Sequence, residues 1–369
     1  MPRTAERQHK HARVLEFLDR HGLEAVLLSR RCNFAWYTCG ARNHVGTACD
    51  VGNSAVLVDR DGAAILTTNI EQTRLRDEEL KGTDIEVFGY SYGDGADRAK
   101  VLRKAVGSRR VAADAPVPGV ETEPLPADFA PLRWALTDSE IERYRAVAGD
   151  VVAAVETVVR TAEPGQTEYE VAGEVARELL GRGCLPWVLL VGADKRLEAH
   201  RHPLPTGKHA RTYFMVATCA EREGLIAACS RLASFGKVRG ELAHRHRGVV
   251  TVDAALIGST LPGASLGDIF SEAERAYATA GFPDQWQFHH QGGSIGYLPR
   301  EVIAAPGCKV KALDRQAFAW NPTVAGTKCE DTILCREGGP ELLATPTDWP
   351  MLRAKWKGFE IDRPDILER

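Results

Sequence analysis

Apolar residues in the first third of the chain switch between two spacings. Ala12, Leu15 and Leu18 repeat at helical intervals and the pattern stops at Gly22, which predicts a helix over residues 5–21 closed by a glycine. Residues 24–28 read as a buried strand. The runs 54–58 and 63–67 flank Asp59-Arg60-Asp61-Gly62, a β-hairpin pattern in which the glycine supplies the positive φ such turns need. A charged helix over 70–80, a strand over 85–89, a helix over 96–106 and a short strand over 110–113 complete a small α/β domain.

Five prolines (Pro116, Pro118, Pro124, Pro126 and Pro131) then fall between Asp114 and Pro131, which reads as a semi-rigid linker because proline fixes φ and cannot donate to a ladder. Thr137-Asp138-Ser139-Glu140 is a capping box opening a helix that runs to about residue 159, and Thr167-Glu168-Tyr169-Glu170 repeats it before a helix ending near Gly181. Strand-like runs at 212–218 and 224–229 precede helical patterns over 239–258 and 265–280, then apolar segments at 318–320 and 332–335. The expected fold class is α+β, with helices on one face of a mainly antiparallel sheet. The expected domains are 1–135, small α/β, and 136–369, with a polar tail after about Ala344.

Composition narrows the class. The chain has 369 residues, 47 basic against 50 acidic, and a net charge of −3, so it lacks the positive field that would hold a nucleic acid or an anionic membrane surface. Its apolar runs, such as 185–191, fall far short of the ~20 residues that span a bilayer. Residues 1–10 show no apolar signal-like stretch. Nine cysteines without a Cys-x-x-Cys pair point to reduced thiols in a cytoplasm. A soluble two-domain enzyme is the expectation.

Histidine carries the candidate chemistry. Of 11 histidines, six fall in the pairs His200/His202, His244/His246 and His289/His290. His244 and His246 lie in an Arg-rich helical pattern at a spacing that sends their rings to different faces, and a solvated surface role is expected. The other pairs lie in loops. Two prolines after His202, Pro203 and Pro205, force extended backbone, and the glycines after His290 suit a backbone passing close to a ligand.

Several segments occur in a characteristic order: His202-Pro-Leu-Pro-Thr206, residues 224–231 with Phe235-Gly236, Gly292-Gly-Ser-Ile-Gly296 with Arg300-Glu301, Trp320-Asn-Pro322 and Glu330-Asp331. The series resembles the pita-bread family that contains creatinase, prolidase, aminopeptidase P and methionine aminopeptidase. Residues 33–40 look like that family's N-terminal domain. The resemblance implies a homodimer with active sites bordering the interface, where Arg31, Tyr37 and Arg42 would complete a neighbouring subunit's pocket.

Metal-dependent members hold two divalent ions with two Asp, one His and two Glu. Laid over this chain without gaps, those ligands fall on Ala217, Ala228, Gly293, Asn321 and Glu330, so only the last carboxylate is kept. Ala and Gly have no donor atom and a neutral amide suits a hard dication poorly. His290 and Asp331 could restore at most a weak single site. We therefore expect no metal and no other cofactor.

What the resemblance leaves is His202, matching the position where creatinase is thought to use a histidine as proton shuttle, with an ordinary pKa of ~6.5 suited to taking and giving a proton. His202, Glu330 and His290 are the candidate catalytic residues. Glu330 would orient the imidazole or hold a cationic substrate nitrogen, Arg231 and Arg300 would bind a carboxylate, and Asn321 would donate to an oxyanion. His289, Trp320 and Phe288 would shape the pocket, with Arg42 and Tyr37 as further substrate contacts. Arg231 could instead pair with a core carboxylate, and Asn321 could be a turn residue. Cys229 and Cys329 lack a Cys–His signature for a nucleophile. The expected function is metal-independent, creatinase-like hydrolysis of a C–N bond in a small carboxylate-bearing guanidino, amidino or amide compound. A lyase, decarboxylase or isomerase using the same histidine, a non-catalytic binding protein, and a metal-dependent Xaa-Pro dipeptidase stay open.

Overall fold

The computed structural model describes residues 3–345 and 348–369. Two compact units emerge, Met1–Arg133 with Thr137–Glu140, and Trp134–Leu136 with Ile141–Arg369.

In the first unit, α1 (Arg3–His21) ends at Gly22, whose φ of 62° is the left-handed conformation that stops a helix. Six strands form one sheet: β1 (Ala25–Arg30), β2 (Val51–Asp59), β3 (Gly62–Thr68), β4 (Glu86–Tyr90), β5 (Val111–Ala113) and β6 (Glu123–Pro124), in the order β4-β3-β2-β1-β5-β6. The β2–β3 hairpin closes on the Asp59–Gly62 pair, and the Asp59 carboxylate accepts from the Asp61 and Gly62 amides. Helices α2 (Arg31–Tyr37), α3 (Asn69–Arg74) and α4 (Gly95–Val106) complete the unit. The proline-rich stretch differs from a plain linker. It adds β6 to the sheet edge and forms a 3-10 turn at Ala127–Arg133 that buries Phe129, because proline at an edge loses no ladder bond.

Helix α5 (Asp138–Thr161) starts within the first unit's Thr137–Glu140 segment and continues as part of the second, and its predicted capping box forms: the Glu140 carboxylate accepts from the Thr137 amide and hydroxyl, both at 2.8 Å. The second box, at Thr167 and Glu170, starts α6 (Glu168–Gly181). Strands β7 (Leu185–Ala193), β8 (Tyr213–Arg222) and β9 (Leu225–Ser234) follow, antiparallel to one another in one sheet, with the short helix α7 (Lys195–Ala199) between β7 and β8. Helices α8 (Gly240–Gly258) and α9 (Leu266–Thr279) come next. Strands β10 (Gly292–Ile295), β11 (Val302–Ile303), β12 (Ala317–Trp320), the ribbon β13 (Thr323–Val324) and β14 (Thr327–Lys328), and then β15 (Thr332–Leu334) and β16 (Glu341–Leu342) follow. These give a sheet ordered β11-β10-β12-β15-β16, with β13 and β14 paired separately.

The helices α8 and α9 pack Val249, Val252, Leu256, Ile269, Phe270 and Tyr277 against Phe318, Trp320 and Ile333 in one apolar core. Every one of these side chains is almost fully buried, which at ~25 cal/mol per Å² of apolar area is the main force holding helices to sheet. The segment expected to be a polar tail is structured instead. Strands β17 (Met351–Trp356) and β18 (Phe359–Pro364) make a hairpin, and β19 (Leu367–Glu368) pairs in parallel with β9. Its alternation hid the reason: Arg363, polar in sequence, is fully buried by ion pairing.

Candidate active site

A cavity of about 290 Å³ opens in the second unit, walled by β7 and β8 (Val188, Leu190, Ala217, Thr218, Cys219) on one side. His202, His290, Arg300, Asn321, Lys328 and Glu330 supply its polar lining. Each polar residue arrives by a local feature of the sequence. Gly192 lacks a side chain where Pro203 packs, since a Cβ there would lie 2.6 Å from the proline ring, and this contact sets the His202-Pro203 turn against β7. Thr206 anchors the far end of that loop by its amide and hydroxyl, at 2.9 and 2.7 Å from the Glu168 carboxylate.

The His289-His290 loop is held by Gln291, which donates to the Trp286 carbonyl at 3.1 Å and accepts from the Tyr277 hydroxyl at 2.8 Å. Gly292 and Gly293 follow at φ values of 95° and 153°. A Cβ at Gly292 would stand 2.2 Å from the Ala319 carbonyl, and one at Gly293 2.0 Å from the Val302 carbonyl. The two glycines are therefore required by the close approach of β10 to its neighbours.

Lys328, at the end of β14, and Glu330, in the segment between β14 and β15, both line the cavity, while the intervening Cys329 turns to the core. Cys329 is buried beside Asp253, with Sγ 3.3 Å from its carboxylate. The backbone at Glu330 is fixed to β9 by the Ser230 amide, 3.0 Å from the Glu330 carbonyl.

The three loop histidines come together. His202 Nε2 and His289 Nε2 are 2.9 Å apart, so one of the two nitrogens carries the proton between them. The His289 and His290 rings stack with centroids 4.5 Å apart. Burial pushes all three imidazoles below the ordinary histidine range, His290 to about 4, with Lys328 acting in the same direction on each. Glu330 opposes this for His202 and His290. These rings are neutral at pH 7.

Charge around the cavity is unbalanced. Glu330 meets Arg300 at 3.0 Å and Lys328 at 3.6 Å, one anion against two cations, all largely buried. Asn321, 2% exposed, leaves its Oδ1 without a hydrogen-bond partner, and an unmet buried carbonyl costs about 1–3 kcal/mol until something donates to it. Burial raises the Cys219 thiol to about 11 and pushes Cys229 and Cys329 up as well, so none is a thiolate near pH 7.

Of the residues expected at the site, His202, His290, Arg300, Asn321 and Glu330 share this cavity, and His289 stands behind His202. The structure does not bring Arg231 there. Its side chain is fully buried between Glu156 at 2.8 Å and Asp331 at 3.0 Å, the core pairing left open as its alternative. Trp320 is likewise in the core, stacked on Phe318 and donating to the Thr260 hydroxyl at 2.9 Å. Phe288 is 62% exposed and does not line the cavity. In the first unit, Tyr37 is buried with its hydroxyl 2.9 Å from His11 Nδ1, Arg31 donates to the Thr47 carbonyl at 3.1 Å, and Arg42 pairs with Glu79 at 2.9 Å. His246, expected on the surface, is 2% exposed and bonded to Thr327 Oγ1 at 2.6 Å and the Pro364 carbonyl at 3.0 Å, while His244 faces solvent. Sequence reasoning missed Lys328; its place two residues before Glu330 was the available signal.

The sequence profile of metallopeptidase family M24 matches residues 142–337. No curated protein sequence matches. Among solved structures, the Xaa-Pro dipeptidase from Bacillus anthracis superposes with a TM-score of 0.76 at 17% identity, over 98% of this chain and all of that one. The X-Pro aminopeptidase from Thermotoga maritima gives 0.75 at 17%, covering 97% and 99%. The prolidase from Pyrococcus horikoshii gives 0.75 at 17%, covering 92% and 99%. The fold is the pita-bread fold with an N-terminal domain, and the chain belongs to metallopeptidase family M24, a family of hydrolases.

The family name implies a metal, and the donors can be tested against it. Ala217 and Ala228 end in methyl groups, Gly293 has no room for any side chain, and Asn321 offers only an amide. Glu330, the one carboxylate of the five, is engaged by two cations. This set does not fit a pair of bridged dications, which needs several carboxylates to hold the ions and make a hydroxide.

Proposed function

We propose that this protein is a metal-independent, creatinase-like hydrolase that cleaves a C–N bond in a small guanidino, amidino or amide compound bearing a carboxylate. The observation that carries the reading is the company His202 keeps: a neutral imidazole beside an unpartnered amide oxygen and an excess of buried positive charge.

In this reading Lys328 and Arg300 take the substrate carboxylate, since two cations share one Glu330. Asn321 Oδ1 accepts from a substrate N–H, which meets its missing hydrogen bond. Water attacks the carbon of the C–N bond while His202 takes its proton. The imidazolium that forms is stabilised by donating to His289 Nε2 and by the nearby Glu330 charge. His202 then returns the proton to the departing nitrogen as the bond breaks, so the water oxygen ends on the carbon and its hydrogen on the amine. His290 closes the wall beside it. A homodimer is part of the proposal.

Chelator-treated protein, incubated with a panel of carboxylate-bearing guanidino, amidino and amide compounds and followed by mass, tests it. A product pair summing to substrate plus water, lost in His202→Ala, is the expected result. No turnover on any compound, or full activity in His202→Ala, overturns it. Loss of carbon dioxide or ammonia without gain of water would replace hydrolysis by a lyase reaction.

A further inference from the structure

The histidine cluster has a capacity that the hydrolase reading does not use. Among the described residues, His202, His289 and His290 each offer a ring nitrogen within 4.8 Å of the others, and they form the only such group of three potential ligands. Three imidazoles bound to one tetrahedral ion, at about 2.0–2.1 Å each, place their nitrogens about 3.3 Å apart. The His202–His289 pair is already at 2.9 Å, and the remaining gap to His290 closes by rotation of partly exposed rings. We propose that these three side chains bind one divalent transition-metal ion of the zinc class, through a ligand set that shares no residue with the family's two-ion positions, and that the bound ion inhibits the enzyme by occupying His202.

Donor chemistry selects the ion. Three neutral imidazoles with no carboxylate suit borderline metals such as Zn²⁺, Co²⁺ or Ni²⁺ and give nothing to Mg²⁺ or Ca²⁺, which want oxygen. Because the rings are neutral near pH 7, binding releases no net proton; the N–H between the Nε2 atoms of His202 and His289 shifts to the other nitrogen of its own ring. Burial of His289 preorganises that ring, and the cavity in front of His202 leaves a fourth position for water.

Two features hold the affinity below that of a structural zinc site. Lys328 and Arg300 repel a dication, only partly offset by Glu330. His289 Nδ1 also makes no hydrogen bond of normal geometry, whereas a tight zinc histidine donates its second nitrogen to a carbonyl or carboxylate. The consequence is a reversible site, occupied when free metal rises, that withdraws the imidazole from proton transfer. The inhibitory half rests on the hydrolase reading; the binding half does not.

The test separates them. Chelator-treated protein is titrated with Co²⁺, following the ligand-field absorption of a tetrahedral nitrogen site, and then with Zn²⁺ in competition. Expected are one ion per chain, displacement of Co²⁺ by Zn²⁺, no competition by Mg²⁺, and a 10–100-fold or greater loss of affinity in His289→Ala and in His289→Gln. Glu330→Gln, which removes the charge offsetting Lys328 and Arg300, weakens binding but leaves the Co²⁺ absorption that of a nitrogen site. Absence of the cobalt spectrum, or unchanged affinity in both His289 variants, overturns the site. A Co²⁺ absorption that changes form in Glu330→Gln overturns it too, by placing a carboxylate oxygen among the ligands. Zn²⁺ should suppress turnover with the midpoint of its binding curve. Stoichiometric binding that raises turnover overturns the inhibitory half and with it the metal-free mechanism, while the site itself stands.

Discussion

Arg231 offers the sharpest test of what this fold spends its buried charge on. Its guanidinium is fully enclosed, donating to Glu156 at 2.8 Å, to Asp331 at 3.0 Å and to the Ser230 carbonyl at 2.8 Å. Asp331 also meets Arg363 at 2.9 Å, and Arg363 meets Asp253 at 2.6 Å. In Arg231→Met, Glu156 keeps only Arg160 at 4.0 Å, and Asp331 must share one guanidinium with Asp253. Breaking a buried pair by removing one partner costs about 3–5 kcal/mol, because a charge is left uncompensated. At about 2–4 °C per kcal/mol for a unit of this size, the melting temperature should fall by about 6–20 °C.

The loss depends on pH in a defined direction. Burial already raises the Glu156 carboxyl, and without Arg231 it rises further. A folded-state pKa above the unfolded value means stability that is lost as pH increases, so the penalty is larger at pH 7.5 than at pH 5.5. Adding Glu156→Gln to the same chain should recover much of it, as a thermal-melt double-mutant cycle would read. A melting temperature within about 2 °C of the parent at both pH values would refute this account of Arg231. So would a change confined to KM, which would return Arg231 to substrate binding.

Four further outcomes are expected. Lys328→Met should raise KM for a carboxylate substrate by about 10–100-fold, the worth of a charge-assisted contact, and leave KM for its methyl ester unchanged. Gly293→Ala, which sets a Cβ 2.0 Å from the Val302 carbonyl, should destabilise β10 and β11 by more than about 2 kcal/mol in a urea melt; parent-like stability would contradict the close approach. Acid should unfold the protein through its neutral buried histidines. His246 and His290 have folded pKa values lowered by burial, the latter to about 4, so the unfolded state binds more protons below pH ~6.5 and the urea midpoint should drop from there toward pH 4. Light scattering on a sizing column should give the mass of two chains.

The elements that sequence anticipated were those with a local cause. Both capping boxes, the Gly22 stop and the Asp59–Gly62 hairpin are written within four or five residues, and each appears where expected. Strand β7 was harder, since an unbroken apolar run such as 185–191 carries no period. The C-terminal hairpin read as polar because its buried Arg363 is satisfied by Asp253 and Asp331, partners 110 and 32 positions away in the chain. Arg231 and Arg300 look alike in sequence, yet one is spent in the core and the other lines the cavity. Only the strand pairings that set Asp331 behind β9 and Glu330 beside the cavity separate them. His246 was legible only in part: spacing showed that it and His244 face apart, and not which one turns inward.

The central claim is that His202 moves the proton without help from a metal. Metal content and turnover measured on one chelator-treated sample, for the parent and for His202→Ala, test it most directly. The account predicts substoichiometric transition metal, retained turnover in the parent and at least a ~100-fold loss in the variant. Activity that vanishes on chelation and returns in proportion to two added ions per chain would contradict it.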